Sequence, residues 1–314
     1  MSDKIPMRDG YGKALLELCE TDDRVMVLDA DVAKSTRTVW IRDKYPEKFL
    51  DMGISEQDMV GTASGMALAG MIPFCSTYGV FLAGRAWDQI RTTVCYNHLN
   101  VKLAGAHAGI SVGPDGATHQ ALEDVAIMRV LPGMTVIVPC DAEETRKATL
   151  AMAAKEGPCF VRFGREAVPC VTNESTPFEI GRANVMREGT DAVIFANGAM
   201  VYEALQAAKA LETEGINLMV VNLHTVKPLD VAAVIDAAKK TGCAVTAEEH
   251  QMAGGMGSAV AECLAVNAPV PLEMVAVADS FGESGQPREL MDKYGLNAET
   301  IIEKVKKVLK RKIS

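Results

Sequence analysis

No stretch of the chain approaches the roughly 18 consecutive apolar residues that a membrane-spanning helix requires. The segment Met1–Asp9 carries no apolar run of signal-peptide length either. Both absences lead to the expectation of a soluble, cytoplasmic protein. C-x-x-C pairs are also missing. The eight cysteines are scattered from Cys19 to Cys263 without a regular framework, which argues against a disulfide scaffold and predicts reduced, mostly buried thiols. Positive charge is not in excess: 32 Lys and Arg against 41 Asp and Glu leave a formal net charge of -9. A nucleic acid or an anionic membrane is therefore disfavoured as the main partner. An anionic small substrate stays open, because a few local Arg and His residues outweigh a distant acidic surface. Internal repeats of solenoid length and low-complexity tracts are absent as well.

What is present is a chain of 314 residues, 48% hydrophobic and 23% charged, enough for two domains with a large core. Short apolar runs alternate with helical patterns almost end to end. Strands are expected at Val25–Leu28, Phe49–Met52, Ile72–Ser76, Val101–Ala104, Thr135–Val138 and Phe160–Phe163, with helical stretches including Asp58–Leu68, Arg85–Tyr96 and Glu143–Ala153. Such alternation predicts an α/β fold with mainly parallel sheets covered by helices on both faces. The rhythm breaks at Ala167–Glu179, where Pro169, Asn173, Ser175 and Pro177 read as a linker. It resumes with strands at Ala192–Phe195, Leu218–Asn222, Ala244–Ala247 and Met274–Val277. Two doubly wound three-layer domains follow, spanning 1–170 and 185–314 with a linker at 171–184. The basic run Lys304–Lys312 is the wet face of a packed helix, since Ile301, Ile302, Val305, Val308 and Leu309 recur at helical spacing.

Ligands of open parallel sheets bind at the carboxyl ends of the strands. Just beyond those ends lie Asp31 and Ser35, then Glu56, then Thr77 and Tyr78, then His107, Asp115 and His119, and last Arg162 and Arg165. Glu56 admits two readings. It sits in the first turn of a helix that Ser55 would cap, complementing the dipole; or it is a largely buried carboxyl that shares a proton with a ligand nitrogen. The stretch GAHAGISVGPDGATHQALED carries His107, Asp115 and His119 among Gly105, Gly109, Gly113 and Gly116, the composition of a binding loop. Its spacing is not that of a zinc motif. In EEHQMAGGMGSAV, Gly254, Gly255 and Gly257 resemble a phosphate cradle, but a tight strand-to-helix turn needs glycine anyway, and a structural or interface role is favoured.

The segments DMGISEQDMVGTASGMALAG, RAWDQIR, GISVGPDGATHQALED, CFVRFGRE and DSFGESGQPREL together resemble the C-terminal portion of transketolases, in order and spacing from about Arg8 onward. The resemblance implies a pyrimidine-binding domain followed by the C-terminal domain of that family. It also implies thiamine diphosphate as cofactor. The family's metal and diphosphate motif, G-D-G followed by an asparagine, is missing; the nearest echoes are Pro114-Asp115-Gly116 and Arg8-Asp9-Gly10. A partner subunit is therefore expected to carry that motif and hold Mg2+ (or Ca2+ or Mn2+), in a heterotetramer with a dimer of this chain; no metal ligand is assigned to this chain. Position by position, the resemblance makes Glu56 the contact to the aminopyrimidine ring, Asp31 an acidic neighbour of the cofactor, and Tyr78 and Phe81 its packing surface. Gly84 departs from transketolases with a third aromatic there, so the pocket is wider or filled by a neighbour. Arg8, Ser35, His107 and Arg165 match groups that hold the sugar phosphate, and Asp115 and His119 match contacts to substrate hydroxyls, with His107 and His119 counted with Glu56 as catalytic.

The activity implied is transfer of a two-carbon ketol unit between sugar phosphates, as in the pentose phosphate pathway. Deoxyxylulose-phosphate synthases share the fold but usually carry an Asp-Arg pair where this chain has Ala106-His107. The β subunits of 2-oxo acid dehydrogenases lack the GPDGATHQ pattern in this form. A non-catalytic homologue is disfavoured by the presence of Glu56, His107, Asp115 and His119 together.

Overall fold

The structure, a computed structural model, describes residues 4–312. Its strands are β1 (Lys4–Pro6), β2 (Val25–Asp29), β3 (Phe49–Asp51), β4 (Ile72–Tyr78), β5 (Lys102–Ala106), β6 (Thr135–Ile137), β7 (Cys159–Arg162), β8 (Ala167–Pro169), β9 (Asn184–Arg187), β10 (Ala192–Ala196), β11 (Leu218–Asn222), β12 (Thr225–Lys227), β13 (Ala244–Gln251) and β14 (Leu272–Val277). One sheet has seven strands in the order β12-β6-β7-β5-β4-β2-β3, and a second has five in the order β14-β13-β10-β11-β9. All pairings among β2 to β7 are parallel, as are those among β10, β11, β13 and β14.

The first sheet is buried on both faces because adjacent residues of a strand point opposite ways. Leu28, Cys75 and Leu103 pack with Met59, Val60, Ala63 and Leu82 of the helices Glu56–Leu68 and Gly79–Arg85. Their neighbours Val27, Phe74 and Ala104 pack with Tyr11, Leu15, Ala148 and Met152 of the helices Met7–Thr21 and Ala142–Ala154. Near-continuous apolar strands are the result. In the second domain the C-terminal helix Ala298–Leu309 buries Ile301, Val305 and Val308, while Lys304 and Lys307 pair with Glu273 on β14 and Lys306 with Glu214.

Two expectations change, and two edge strands, β9 and β12, are added. The single helix read over Arg85–Tyr96 is three pieces, Gly79–Arg85, Trp87–Gln89 and a π-helical turn Ile90–Cys95. Ala86, at φ -97° and ψ 11°, interrupts the helix, and the wide π turn still buries Ile90, Val94 and Cys95, so the apolar spacing gives no sign of the break. The segment read as a linker from Ala167 begins as β8, antiparallel to β1 with Lys4 opposite Pro169. It stays fastened afterwards, since Asp141 accepts from the N–H groups of Val171 and Thr172 and from the Thr172 hydroxyl. β9 runs antiparallel to β11. β12, beyond the first strands of the second sheet in the chain, crosses to the first sheet and pairs antiparallel with β6.

That crossing brings Glu144 against Asn222. Glu144 is buried, and its carboxyl accepts from the Cys140 N–H at 2.7 Å and the Asn222 amide at 2.8 Å. Burial pushes its pKa up to about 7 against those hydrogen bonds. Asn222 Oδ1 has no partner among the described residues, so with the amide turned over, a protonated Glu144 could donate to it. Between about pH 4.5 and 7 the folded chain then binds more protons at this site than the unfolded one, and stability falls as pH rises through that window. Glu144→Gln removes this proton dependence. Its melting temperature relative to wild type should rise from pH 5 to pH 8, read by thermal denaturation; a constant difference would show that Glu144 does not titrate there.

Candidate active site

The site is assembled at the carboxyl ends of β2, β4, β5 and β7. At the end of β2, Asp29 is buried and accepts from the Val32 N–H at 2.7 Å and from the hydroxyls of Thr36 and Thr38, each at 2.8 Å. Burial raises its pKa to about 6, opposed by those three bonds. This ties down the turn that carries Asp31 and Ser35. Asp31 itself is exposed, in the left-handed region at φ 61°, with its N–H donating to Asp51 at 3.2 Å.

Ser35 is the first point of convergence. Its hydroxyl accepts from Tyr78 at 3.1 Å and its carbonyl accepts from Arg8 Nη1 at 3.3 Å. The same Arg8 nitrogen lies 3.4 Å from His107 Nε2. Guanidinium only donates, so Nε2 accepts and the ring proton sits on Nδ1. That nitrogen and Arg8 Nε are buried without a partner among the described residues. His107 is 2% exposed, sits at φ 51°, and meets Tyr78 edge-on with ring centroids 4.5 Å apart. A left-handed backbone at a non-glycine residue is strained, and such strain gathers at functional sites. Burial, then Arg8, Arg165, Arg37 and His119, lower its pKa to about 3, so the ring is neutral at neutral pH. Arg37 is itself held by Asp9 at 2.6 Å. Arg165 donates to the Val112 carbonyl at 3.0 Å and lies 3.9 Å from Asp115.

Aromatic rings connect this cationic cluster to a second one. His119, bonded to Thr118 at 2.9 Å, stands edge-on to Tyr78 and to Phe81, at 5.9 and 5.1 Å between centroids. Phe81 in turn lies under the Arg85 guanidinium, 4.1 Å from it, and Arg85 Nη1 donates to both Glu56 oxygens at 3.4 and 3.2 Å. Glu56 is 3% exposed at the first turn of its helix, and Ser55 occupies the N-cap position without a side-chain cap bond. Capping by Ser55, as read from the sequence, is therefore absent.

The structure thus brings Arg8, Ser35, Tyr78 and His107 together through direct contacts, with the Arg165–Asp115 pair acting on Arg8 and His107 through charge and His119 and Phe81 leading to Glu56. Asp31 lies on the rim. Arg162, also at a strand end, belongs elsewhere: it is 4% exposed and tied to Asp124 at 3.2 Å. The glycine-rich turn at Gly254–Gly257 is filled by the chain itself, since Glu248 accepts from the Met256 and Gly257 N–H groups at 2.7 Å each. Asp29 and Arg37 escaped the sequence reading because one acts by accepting bonds from its own turn and the other reaches the site only through charge. Among the described residues no cluster of three or more His, Cys, Asp or Glu is placed to hold a metal ion, and no helix is long and apolar enough to cross a membrane. A separate cavity of about 360 Å3 lies where the two domains meet, between Met7, Phe163, Tyr202 and Met291.

A two-domain α/β chain with a buried glutamate, a run of aromatic rings and an arginine–histidine cluster along one sheet edge can be set against known proteins. Residues 3–171 match the transketolase pyrimidine-binding domain and residues 181–301 the transketolase C-terminal domain. The chain belongs to the transketolase family and corresponds to its C-terminal section. It is 43% identical to the 6-deoxy-6-sulfo-D-fructose transketolase subunit SqwH of Clostridium sp. (strain MSTE9), covering 98% of this chain and 95% of that one. It is 37% identical to an apulose-4-phosphate transketolase subunit of Phocaeicola vulgatus, covering 96% and 98%. A solved structure described as a split gene transketolase, inactive beta4 tetramer, superposes with a TM-score of 0.91 at 46% identity, over 99% of this chain and 100% of that one.

The depressed His107 has a measurable consequence. Between pH 6.5 and about 3 the unfolded chain binds a proton there that the folded chain refuses, so stability falls as pH drops through that window. His107→Asn should lose less stability between pH 7 and pH 4 than wild type does, read by denaturant unfolding. Equal acid sensitivity would show that the ring protonates freely in the fold.

Proposed function

We propose that this chain is one of two subunits of a transketolase that moves a two-carbon ketol unit from a ketose carrying a terminal anion to an aldose phosphate. The observation that carries the reading is the pairing, on one sheet edge, of a buried Glu56, joined to Phe81 through Arg85, with the Arg8–His107–Ser35–Arg165 cluster. Thiamine diphosphate would supply the carbanion chemistry. The donor set fits its aminopyrimidine ring: Glu56 offers a desolvated carboxyl, Tyr78 and Phe81 an apolar face, and Gly84 leaves open space, since a Cβ there would meet nothing within 4 Å. Asp31, on the rim, would neighbour the cofactor. Arg8 and Arg165, with the Ser35 hydroxyl and a neutral His107, would hold the substrate anion by charge-assisted hydrogen bonds. Asp115 and His119 would contact the sugar hydroxyls, where a bond that strengthens as charge develops lowers the barrier.

The diphosphate and its divalent metal would be held by a partner chain carrying G-D-G, with a dimer of this chain in a cytoplasmic heterotetramer. The division into 1–170, 171–184 and 185–314 is part of the same reading. Supporting an interface, the helix Glu56–Leu68 presents Gly61 and Gly65 to open space and Leu68 at 75% exposure. Two related subunits named for a sulfonated and a phosphorylated ketose favour a terminal anion on the donor without deciding which.

The test is co-expression with a candidate G-D-G partner, assayed with thiamine diphosphate, magnesium, xylulose 5-phosphate and ribose 5-phosphate. Sedoheptulose 7-phosphate should form from the mixture and from neither chain alone. Turnover of pyruvate with glyceraldehyde 3-phosphate instead would move the chain to the deoxyxylulose-phosphate synthase reading. In the active mixture, Arg165→Ala should raise KM at least about tenfold for phosphorylated donors and far less for unphosphorylated ones; equal effects on both would remove Arg165 from the anion site.

A further inference from the structure

Arg85 stands out because it makes both of the contacts that the reading above assigns to a bound aminopyrimidine ring. Its guanidinium lies 4.1 Å over Phe81 and donates to Glu56 at 3.2 and 3.4 Å. Guanidinium is flat, carries its donors in a fork that matches a carboxylate, and stacks on aromatic faces. It therefore presents to Glu56 and Phe81 much what a flat, nitrogen-bearing aromatic ring would present. Two planar groups cannot occupy the same place between one ring face and one carboxylate.

We propose that Arg85 is a placeholder for the aminopyrimidine of thiamine diphosphate, keeping the buried Glu56 carboxylate paired until the cofactor displaces it. The inference rests on the functional reading of Glu56 and Phe81 given above. Leaving Glu56 in its 3% exposed position without a partner would be costly, because a buried charge needs a counter-charge or hydrogen bonds. Arg85 relieves that cost and is built to leave. Its side chain is 50% exposed, so water receives the guanidinium at little loss. Its backbone is anchored, with the Arg85 carbonyl accepting from Gln57 at 3.0 Å, so the exchange needs only side-chain rotation. The adjacent Gly84 offers no side chain to obstruct it. The third aromatic that some transketolases carry near this point is replaced here by a cation from the chain itself.

The test is calorimetric titration of thiamine diphosphate, with magnesium, into the assembled two-chain complex. Arg85→Ala should bind the cofactor more tightly than wild type, by about tenfold for a half-exposed ion pair combined with ring stacking. Arg85→Lys, which keeps the charge but not the plane, should fall between. Ethylguanidinium should compete with the cofactor in Arg85→Ala and have no such effect on wild type. Unchanged or weaker binding in Arg85→Ala overturns the placeholder. Glu56→Gln separates this from the underlying assignment: it should weaken cofactor binding and stop exchange of the acidic cofactor proton with deuterated solvent. If Glu56→Gln has those effects while Arg85→Ala does not tighten binding, the placeholder alone fails. If Glu56→Gln changes nothing, or no variant binds the cofactor, the site reading and the placeholder fall together.

Discussion

A single guanidinium ties the loop that carries the candidate site residues to both domains. Arg162, at the end of β7 and 4% exposed, donates to Asp124 at 3.2 Å, to the Ala121 carbonyl at 3.2 Å and to the Glu249 carbonyl at 2.6 Å. Removing one member of a buried pair of this kind costs about 3–5 kcal/mol, because the other charge is stranded. Here the stranded group would be Asp124, whose Oδ1 already has no partner among the described residues. The loop from Gly105 to Ala121 carries His107, Asp115 and His119 but contains too much glycine to hold a shape unaided. Its shape comes from the second domain. Glu249 accepts the Ser111 N–H at 2.6 Å, and Gln120 donates to the Ile110 carbonyl within the loop and to the Glu283 carbonyl across the seam.

Two of the loop glycines are explained by the same clamp. At Gly109, φ 89°, a Cβ would lie 2.3 Å from a Glu249 oxygen; at Gly116, φ 76°, it would lie 2.5 Å from the Ser284 hydroxyl. They are places where the second domain comes too close for any side chain. The loop is flexible by composition and fixed by contact, and the C-terminal domain is the source of that contact. This gives the second domain a physical role in a site whose candidate residues all lie in the first.

Much of this was legible in the residues. The central strands announce themselves because helices cover both faces of the first sheet, so Val25–Leu28 and Ile72–Ser76 must be apolar nearly throughout. β9 and β12 did not, because Asn184–Arg187 and Thr225–Lys227 are short edge strands defined by pairing rather than by composition. The strand-end rule pointed to Ser35, Tyr78, His107 and Arg165, which lie along one edge of the first sheet. It also picked up Arg162, since a buried structural arginine and a ligand-binding one look alike in one dimension. Asp29 was passed over because it serves by accepting three bonds from its own turn, a function invisible without the turn. For Glu56, spacing alone could not choose between a dipole-complementing surface acid and a buried carboxyl. The choice depends on which way the side chain turns, and the carboxyl turns towards Arg85 on another helix.

The charges within the site also follow from burial. A protonated histidine beside Arg8 and Arg165 would be a third cation in a desolvated space; burial and those two arginines keep His107 neutral. A neutral ring can donate from Nδ1 while Nε2 accepts from Arg8, ordering the arginine without adding repulsion. The cationic cluster therefore stands at one end of the contact chain, and the Glu56 carboxyl at the other, with Tyr78, His119 and Phe81 between them. The proposed function places a cofactor ring at the Glu56 end and an anionic tail at the Arg8 end. The cationic cluster constrains the sign of the tail far more than its chemistry, since phosphate and sulfonate oxygens both accept from the same guanidinium donors.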